Sequence, residues 1–291
     1  TRIIAGATFA YRTSVIEAGK KGRMPMTHEL LQLDTIELVR DGRLLTIVFN
    51  RPDALNAFDQ AMHDEFPAAL AFAREDELSD VILLTGNGKA FSAGGDFAHI
   101  QNNADNPECF DHEIAMAQEI VETLIDIEKP VVCRMNGHAV GLGATVALLC
   151  DIIYASDKAK IGDPHVNIGL VAGDGGAIAW PQRIGLTRAK EYLLTGDLVT
   201  AGKAVEIGLI NQAFDAAELD GAVAELCTKL LAKPQFALRK TKQLTNLELK
   251  RLSGALLLPG MKWELESVRD SDHREAIAAM IEKRPPVFRR N

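Results

Sequence analysis

Two glycine-rich turns and one histidine are the parts of this chain best suited to chemistry. The first turn lies in GNGKAFSAGGDF, Gly86 to Phe97, where Gly94 and Gly95 permit tight backbone geometry with amides facing outward. The second lies in NGHAVGLGATVALLCD, Asn136 to Asp151, where Gly141, Leu142 and Gly143 open a helical run. A helix N-terminus carries unpaired N–H groups and a partial positive charge. If both turns face one pocket, their amides grip a single oxygen as negative charge develops on it, which is an oxyanion hole. Either turn alone is ordinary, because glycines after strands most often just reverse the chain. Neither has the spacing of a dinucleotide fingerprint or the lysine of a phosphate loop.

His165, in Gly162-Asp163-Pro164-His165, reads on its own as a hydrogen-bonded loop histidine. An imidazole there can work as base or acid near neutral pH, provided a partner fixes its tautomer. Asp174, in Gly173-Asp174-Gly175-Gly176, and Asp163 are the two candidate partners. Asp174 reads equally as the cap of a following helix, and Asp163 as a loop-shaping residue. His138 reads as a turn contact and His99 as either a channel residue or a solvated face. Glu113, Glu119 and Glu122 share one helical run, and most such charges are simply solvated, with Glu113 the one that could reach a pocket. Phe97 and Trp180 read as packing.

These residues need a scaffold that alternates strands with helices. Residues 34 to 49 hold two alternating apolar runs around Asp41-Gly42, a hairpin signal. A helix is predicted over 58–74, a buried strand over 81–85, a helix over 110–128 stopped by Pro130, and a strand over 131–135. Residues 141–149 fit a buried helix and 151–155 another strand. The pattern is one of repeated ββα units through residue 162. From Gly176 onward helix is expected to follow helix, with Thr200 and Asp215 or Ala216 starting helical runs and Pro234, Pro259 and Pro285 punctuating the tail.

Composition narrows the function classes. A net charge of -8 argues against a general polyanion binder, so nucleic acid is not expected as a partner. Cys109, Cys133, Cys150 and Cys227 form no C-x-x-C pair, so neither a zinc site nor a redox motif is expected; scattered cysteines suit a reducing compartment. No apolar run reaches the length of a membrane span. The expectation is a cytoplasmic protein. Arg2, Arg12, Lys20, Lys21 and Arg23 make a basic lead-in, read as an N-terminal extension over residues 1–30, with Met26 a natural start.

Taken in order, these segments resemble the crotonase superfamily, the enoyl-CoA hydratase/isomerase family. The resemblance continues through KAKIGDPHVNIGLVAGDGGAIAWPQRIG, AKEYLLTGD and AVEIGLIN to IEKRPPVF, and so covers nearly everything from Ile36 to Phe288. It implies an α/β (α+β) fold: a ββα superhelix over residues 31–224, then a helical trimerisation region over 225–291. It places the oxyanion amides on Gly95 and Leu142. Ala93, with Ser92 and Asp96 beside it, matches the backbone that meets coenzyme A, and Lys283 belongs to a tail that approaches the coenzyme. Coenzyme A enters as part of the substrate, with no separate cofactor and no metal. Homotrimers or dimers of trimers are the implied assembly.

The same resemblance exposes a departure. The family's hydratases use two glutamates, and here Thr145 and His165 stand at those positions. Threonine orients a water or carbonyl but is a poor base. The first expectation is therefore hydration or isomerisation of an acyl-CoA through a stabilised enolate, without the usual pair. The competing one is a β-diketone C–C hydrolase with a His165–Asp174 dyad that activates water. A non-catalytic binding protein on the same fold is the third.

Overall fold

The computed structural model describes residues 29–289. The N-terminal extension read over residues 1–30, with Met26, lies outside the described residues apart from its last two. From Gln32 onward the chain forms one compact unit.

Strands β1 (Ile36–Asp41) and β2 (Leu44–Phe49) form the antiparallel hairpin around Asp41-Gly42. Gly42 takes φ +54°, the left-handed conformation that such a tight turn demands. Beyond Asp59, whose carboxylate caps it, α1 (Gln60–Glu75) crosses to β3 (Val81–Gly86). After β4 (Ala90–Ser92) come α2 (Phe97–Asp105) and α3 (Phe110–Asp126). The next unit holds β5 (Val131–Met135), β6 (His138–Val140) and α4 (Leu142–Leu149). Then follow β7 (Ile152–Ser156), β8 (Lys160–Gly162), a short turn over His165–Ile168 and α5 (Gly176–Thr195).

Two sheets result. The larger has the order β1-β2-β3-β5-β7-β10, where β10 is Gln212–Phe214, and is parallel from β2 onward. Its central strands, such as VILLTG of β3, are buried on both faces, which explains their unbroken apolar character. The smaller sheet has the order β4-β6-β8-β9, where β9 is Val199–Thr200, with β4, β6 and β8 parallel. The carboxyl ends of those three strands run directly into Gly94-Gly95, Gly141-Leu142 and Asp163-His165. Three turns far apart in sequence are thereby set side by side. Helix α4 is buried along its whole length, as its sequence LGATVALL requires. Phe49 packs edge-on against Phe58, Phe66 and Phe91 in the core beneath the first turn.

The tail departs from an uninterrupted helical run. After β9 (Val199–Thr200) and α6 (Ala201–Glu206), β10 (Gln212–Phe214) pairs in parallel with β7 and extends the larger sheet. Such two- and three-residue strands are too short to show a period. Then follow α7 (Ala216–Leu231), α8 (Gln235–Thr245), α9 (Leu247–Val268) and α10 (Ser271–Glu282). Pro234 caps α8, but Pro259 lies inside α9 instead of ending a helix. Trp180 is fully buried packing, whereas Phe97 is 41% exposed. No helix among the described residues is long and apolar enough to cross a membrane.

Candidate active site

The two glycine turns meet. Gly94 has φ +87°, and a Cβ there would stand 2.8 Å from the Val140 carbonyl oxygen in the other turn. Gly141 has φ +54° with ψ −126°, a conformation reserved for glycine. Among the described residues, neither the Gly95 nor the Leu142 backbone N–H has a hydrogen-bond acceptor. Both residues line one cavity of about 120 Å³. Paired free amides at a shared cavity wall are the arrangement an oxyanion hole needs. Ser92 lies buried beneath, its Oγ accepting from Gly94 N at 3.2 Å. A side chain at Gly143 would collide with Ser92, which is why the helix behind the second turn can pack so close.

His165 faces the same wall. A Cβ at Gly141 would lie 3.6 Å from its Cε1 and 3.8 Å from its Nε2. Its Nδ1 donates to Asp163 Oδ1, so Asp163 and not Asp174 fixes the tautomer. Asp163 is 1% exposed, and its Oδ2 has no partner among the described residues. On the other ring edge, Nε2 is 3.8 Å from Asp174 Oδ2 and 4.0 Å from Glu264 Oε1. Thr145 is fully buried and donates to Asp174 Oδ1 at 3.3 Å, an oxygen that also accepts from Gly176 N at 3.4 Å. Asp174 thus contacts the start of α5 with one oxygen and turns the other toward the histidine, at a distance beyond a hydrogen bond. Thr145 acts on the site through Asp174.

The electrostatics follow from three carboxyl groups around one imidazole. Burial opposes a charge on His165, but Asp163, then Asp174 and Glu264, outweigh it and hold the imidazole pKa well above its ordinary value. Burial raises the Asp174 carboxyl, and the positive His165 only partly offsets this. Burial, with the negative Asp174 beside it, pushes Glu264 well above the usual carboxylate range. The three carboxyl groups thereby favour the protonated imidazole, which is placed to give up a proton. Glu264, from the distant helix α9, is the member of this group that sequence reasoning missed.

A second polar cluster lines another part of the cavity. Glu113 accepts from His99 Nε2 at 2.8 Å and from Asn103 Nδ2 at 2.5 Å, both on Oε2. Its Oε1 is 3.4 Å from His63 Nε2. Burial lowers the His63 pKa, while the hydrogen bond to Glu113 raises that of His99. Apolar Ile100, Phe110, Ile114, Leu170 and Val268 complete the lining. Ala93 lines the cavity too. Asp96 caps α2 through Ala98 N and pairs with Arg51 at 3.3 Å. Lys283 ends α10 in a left-handed conformation, and nothing among the described residues ties it to the cavity. His138 is exposed and accepts from Lys160 N at 3.1 Å.

The family model described as enoyl-CoA hydratase/isomerase matches residues 40–291. A crystal structure of an enoyl-CoA hydratase/isomerase from Mycobacterium paratuberculosis superimposes with a TM-score of 0.80 at 37% identity, over 85% of this chain and 99% of that one. Crotonyl-CoA hydratase from Syntrophomonas wolfei is 31% identical over 258 residues, 88% of this chain and 98% of that protein. The 1,2-epoxyphenylacetyl-CoA isomerase of Escherichia coli is 33% identical over 251 residues, 84% of this chain and 94% of that one. This chain belongs to the enoyl-CoA hydratase/isomerase family, and its fold is the crotonase ββα superhelix.

Proposed function

We propose that the protein acts on an acyl-CoA thioester, holding the thioester oxygen on the Gly95 and Leu142 amides and moving a proton at Cα through His165. The observation that carries this reading is the convergence of two unpartnered amides and one carboxyl-flanked imidazole on a single cavity wall. In hydration, the water oxygen bonds to Cβ and the π electrons shift onto the thioester oxygen. The carboxylate of Asp174 takes the water's surplus proton, and His165 delivers its own to Cα. In isomerisation no water enters: Asp174 takes a proton from Cγ of the unsaturated chain, an enolate of the same kind forms on the two amides, and His165 protonates Cα. General acid and base groups of this sort contribute about 10²–10⁴-fold each. Ala93, Ser92 and Asp96, on the first turn, are assigned to the coenzyme A side, with Lys283 of the tail. Phe236, Leu244, Leu247, Leu258 and Trp263 are large exposed apolar residues of α8 and α9, which supports assembly of a homotrimer through the C-terminal helices. Light scattering on the purified protein tests that assembly.

One observation favours a second reading. His165 with Asp163 on Nδ1 and two carboxyls near Nε2 is equally equipped to serve water attack on a β-diketone. In that reaction the His165–Asp174 pair takes a proton from the water as its oxygen bonds to one carbonyl carbon, the C–C bond breaks, the departing carbon stays as an enolate on the two amides, and the pair returns the proton to it. Calorimetry with a series of acyl-CoA ligands and free β-diketones separates the two. Binding of acyl-CoA supports the thioester reading. Absence of coenzyme A binding, with a diketone bound or consumed, replaces it with the hydrolase.

A further inference from the structure

The cluster on α1, α2 and α3 does not belong to the proton-transfer group around His165, and its geometry has a specific deficit. His63 Nδ1 lies 2.9 Å from the Asp59 carbonyl oxygen, which only accepts, so Nδ1 carries the proton. His63 Nε2 is thereby aimed at Glu113 Oε1, 3.4 Å away. Both donors that reach Glu113 at hydrogen-bond distance, His99 and Asn103, go to its other oxygen. His63 Nε2 and Glu113 Oε1 thus face each other at a separation a shared ion would span. Asn103, 2% exposed, adds a further acceptor, because its Oδ1 has no partner among the described residues. A group of buried acceptors short of a positive centre is what a cation completes.

We infer that His63 Nε2, His99 Nε2 and the Glu113 carboxylate form a binding site for a divalent transition cation of the zinc class, beside the substrate cavity; the proton that His99 Nε2 shares with Glu113 is released to solvent as the ion binds. The ligand atoms all lie within 4.8 Å of one another. Ligands about 2.0–2.1 Å from a tetrahedral zinc stand about 3.3 Å apart, close to the His63–Glu113 separation. Two histidines and one carboxylate are a donor set that such ions accept. The backbone carbonyl on His63 Nδ1 is the outer contact that fixes a ligating imidazole and raises its basicity. His63, Asn103 and Glu113 line the cavity, which gives the ion an entry path and an open position. The three ligands come from three helices, so no short spacing in the sequence announces them. The site stands independently of the acyl-CoA reading.

The test is Zn²⁺ titration of the chelator-treated, dialysed full-length protein by calorimetry, with metal content read by mass spectrometry. One Zn²⁺ per chain is expected, with His63→Gln and Glu113→Gln each weakening binding at least tenfold and His165→Gln leaving it unchanged. The last comparison matters because Asp163, His165 and Asp174 are a second grouping of donor type. On the wild-type chain, Zn²⁺ should shift the ring-nitrogen resonances of His63 and His99 and spare those of His165, a readout no folding defect can mimic. No saturable uptake, or uptake that perturbs His165 instead, overturns the proposal.

Discussion

Replacing Asp163 with asparagine removes one negative charge and almost no volume. The perturbed contact is the one from His165 Nδ1 to Asp163 Oδ1, with Asp163 buried. At an effective dielectric constant of about 20, unit charges about 4 Å apart interact by about 4 kcal/mol. Asp174 and Glu264 remain on the Nε2 side and the site relaxes, so the imidazole pKa should fall toward its ordinary value. His165 is proposed to work as a proton donor, so activity is lost above its pKa. The alkaline limb of the kcat/KM profile should therefore move toward acid, with at least a tenfold loss at fixed pH on that limb. Stability must change in step. The folded pKa of His165 is raised, so its contribution is fully present below the unfolded value near 6.5 and is lost as pH rises through the folded pKa. Asp163→Asn should shrink that pH-dependent component. The assays are steady-state kinetics across pH and titration of the His165 ring protons by NMR. A wild-type midpoint and a wild-type alkaline limb in a folded variant would refute the electrostatic account.

Other consequences test separate parts of the structure. Glu264→Gln should stabilise the protein at pH 7, because burial holds this carboxyl above its ordinary range; the gain should vanish below its unfolded value near 4.3, and lower stability at pH 7 would contradict it. Gly141→Ala meets only ordinary contacts but forces a glycine-only conformation, costing about 1–3 kcal/mol. The displaced Leu142 amide should then lower kcat by about 10²–10³ with the fold retained, as read by kinetics beside a thermal melt. Asn56, buried at φ +55°, donates to the Asn87 and Ala90 carbonyls and accepts from Arg51 N. Asn56→Ala should cost about 2–4 kcal/mol in urea unfolding, since it strands buried backbone groups beneath the first turn.

Much of this architecture was legible because local chemistry and fold agree. Asp41-Gly42 between alternating runs marks the hairpin, and LGATVALL reads as a buried helix since every position is apolar or small. The two glycine turns were visible as types, and the parallel pairing of β4, β6 and β8 explains why they meet. What escaped the sequence is tertiary. Glu264 sits on α9, and nothing in its neighbourhood distinguishes it from the solvated glutamates around it. Asp163 reads as a loop residue because only the folded turn brings its carboxylate onto Nδ1. Thr145 points at Asp174 since α4 packs against α5. Pro259 fits inside α9, which local preference treats as a stop.

Enolate formation at the two amides, with His165 carrying the proton, is most directly read from exchange at carbon. A saturated acyl-CoA is incubated with the protein in deuterium oxide, and deuterium at Cα is followed by mass spectrometry. Wild-type protein should incorporate deuterium with turnover, by the reverse of the protonation step, and His165→Gln should slow it by at least 10²-fold while acyl-CoA still binds. Bound acyl-CoA without Cα exchange, or exchange at the wild-type rate in the variant, would contradict the account.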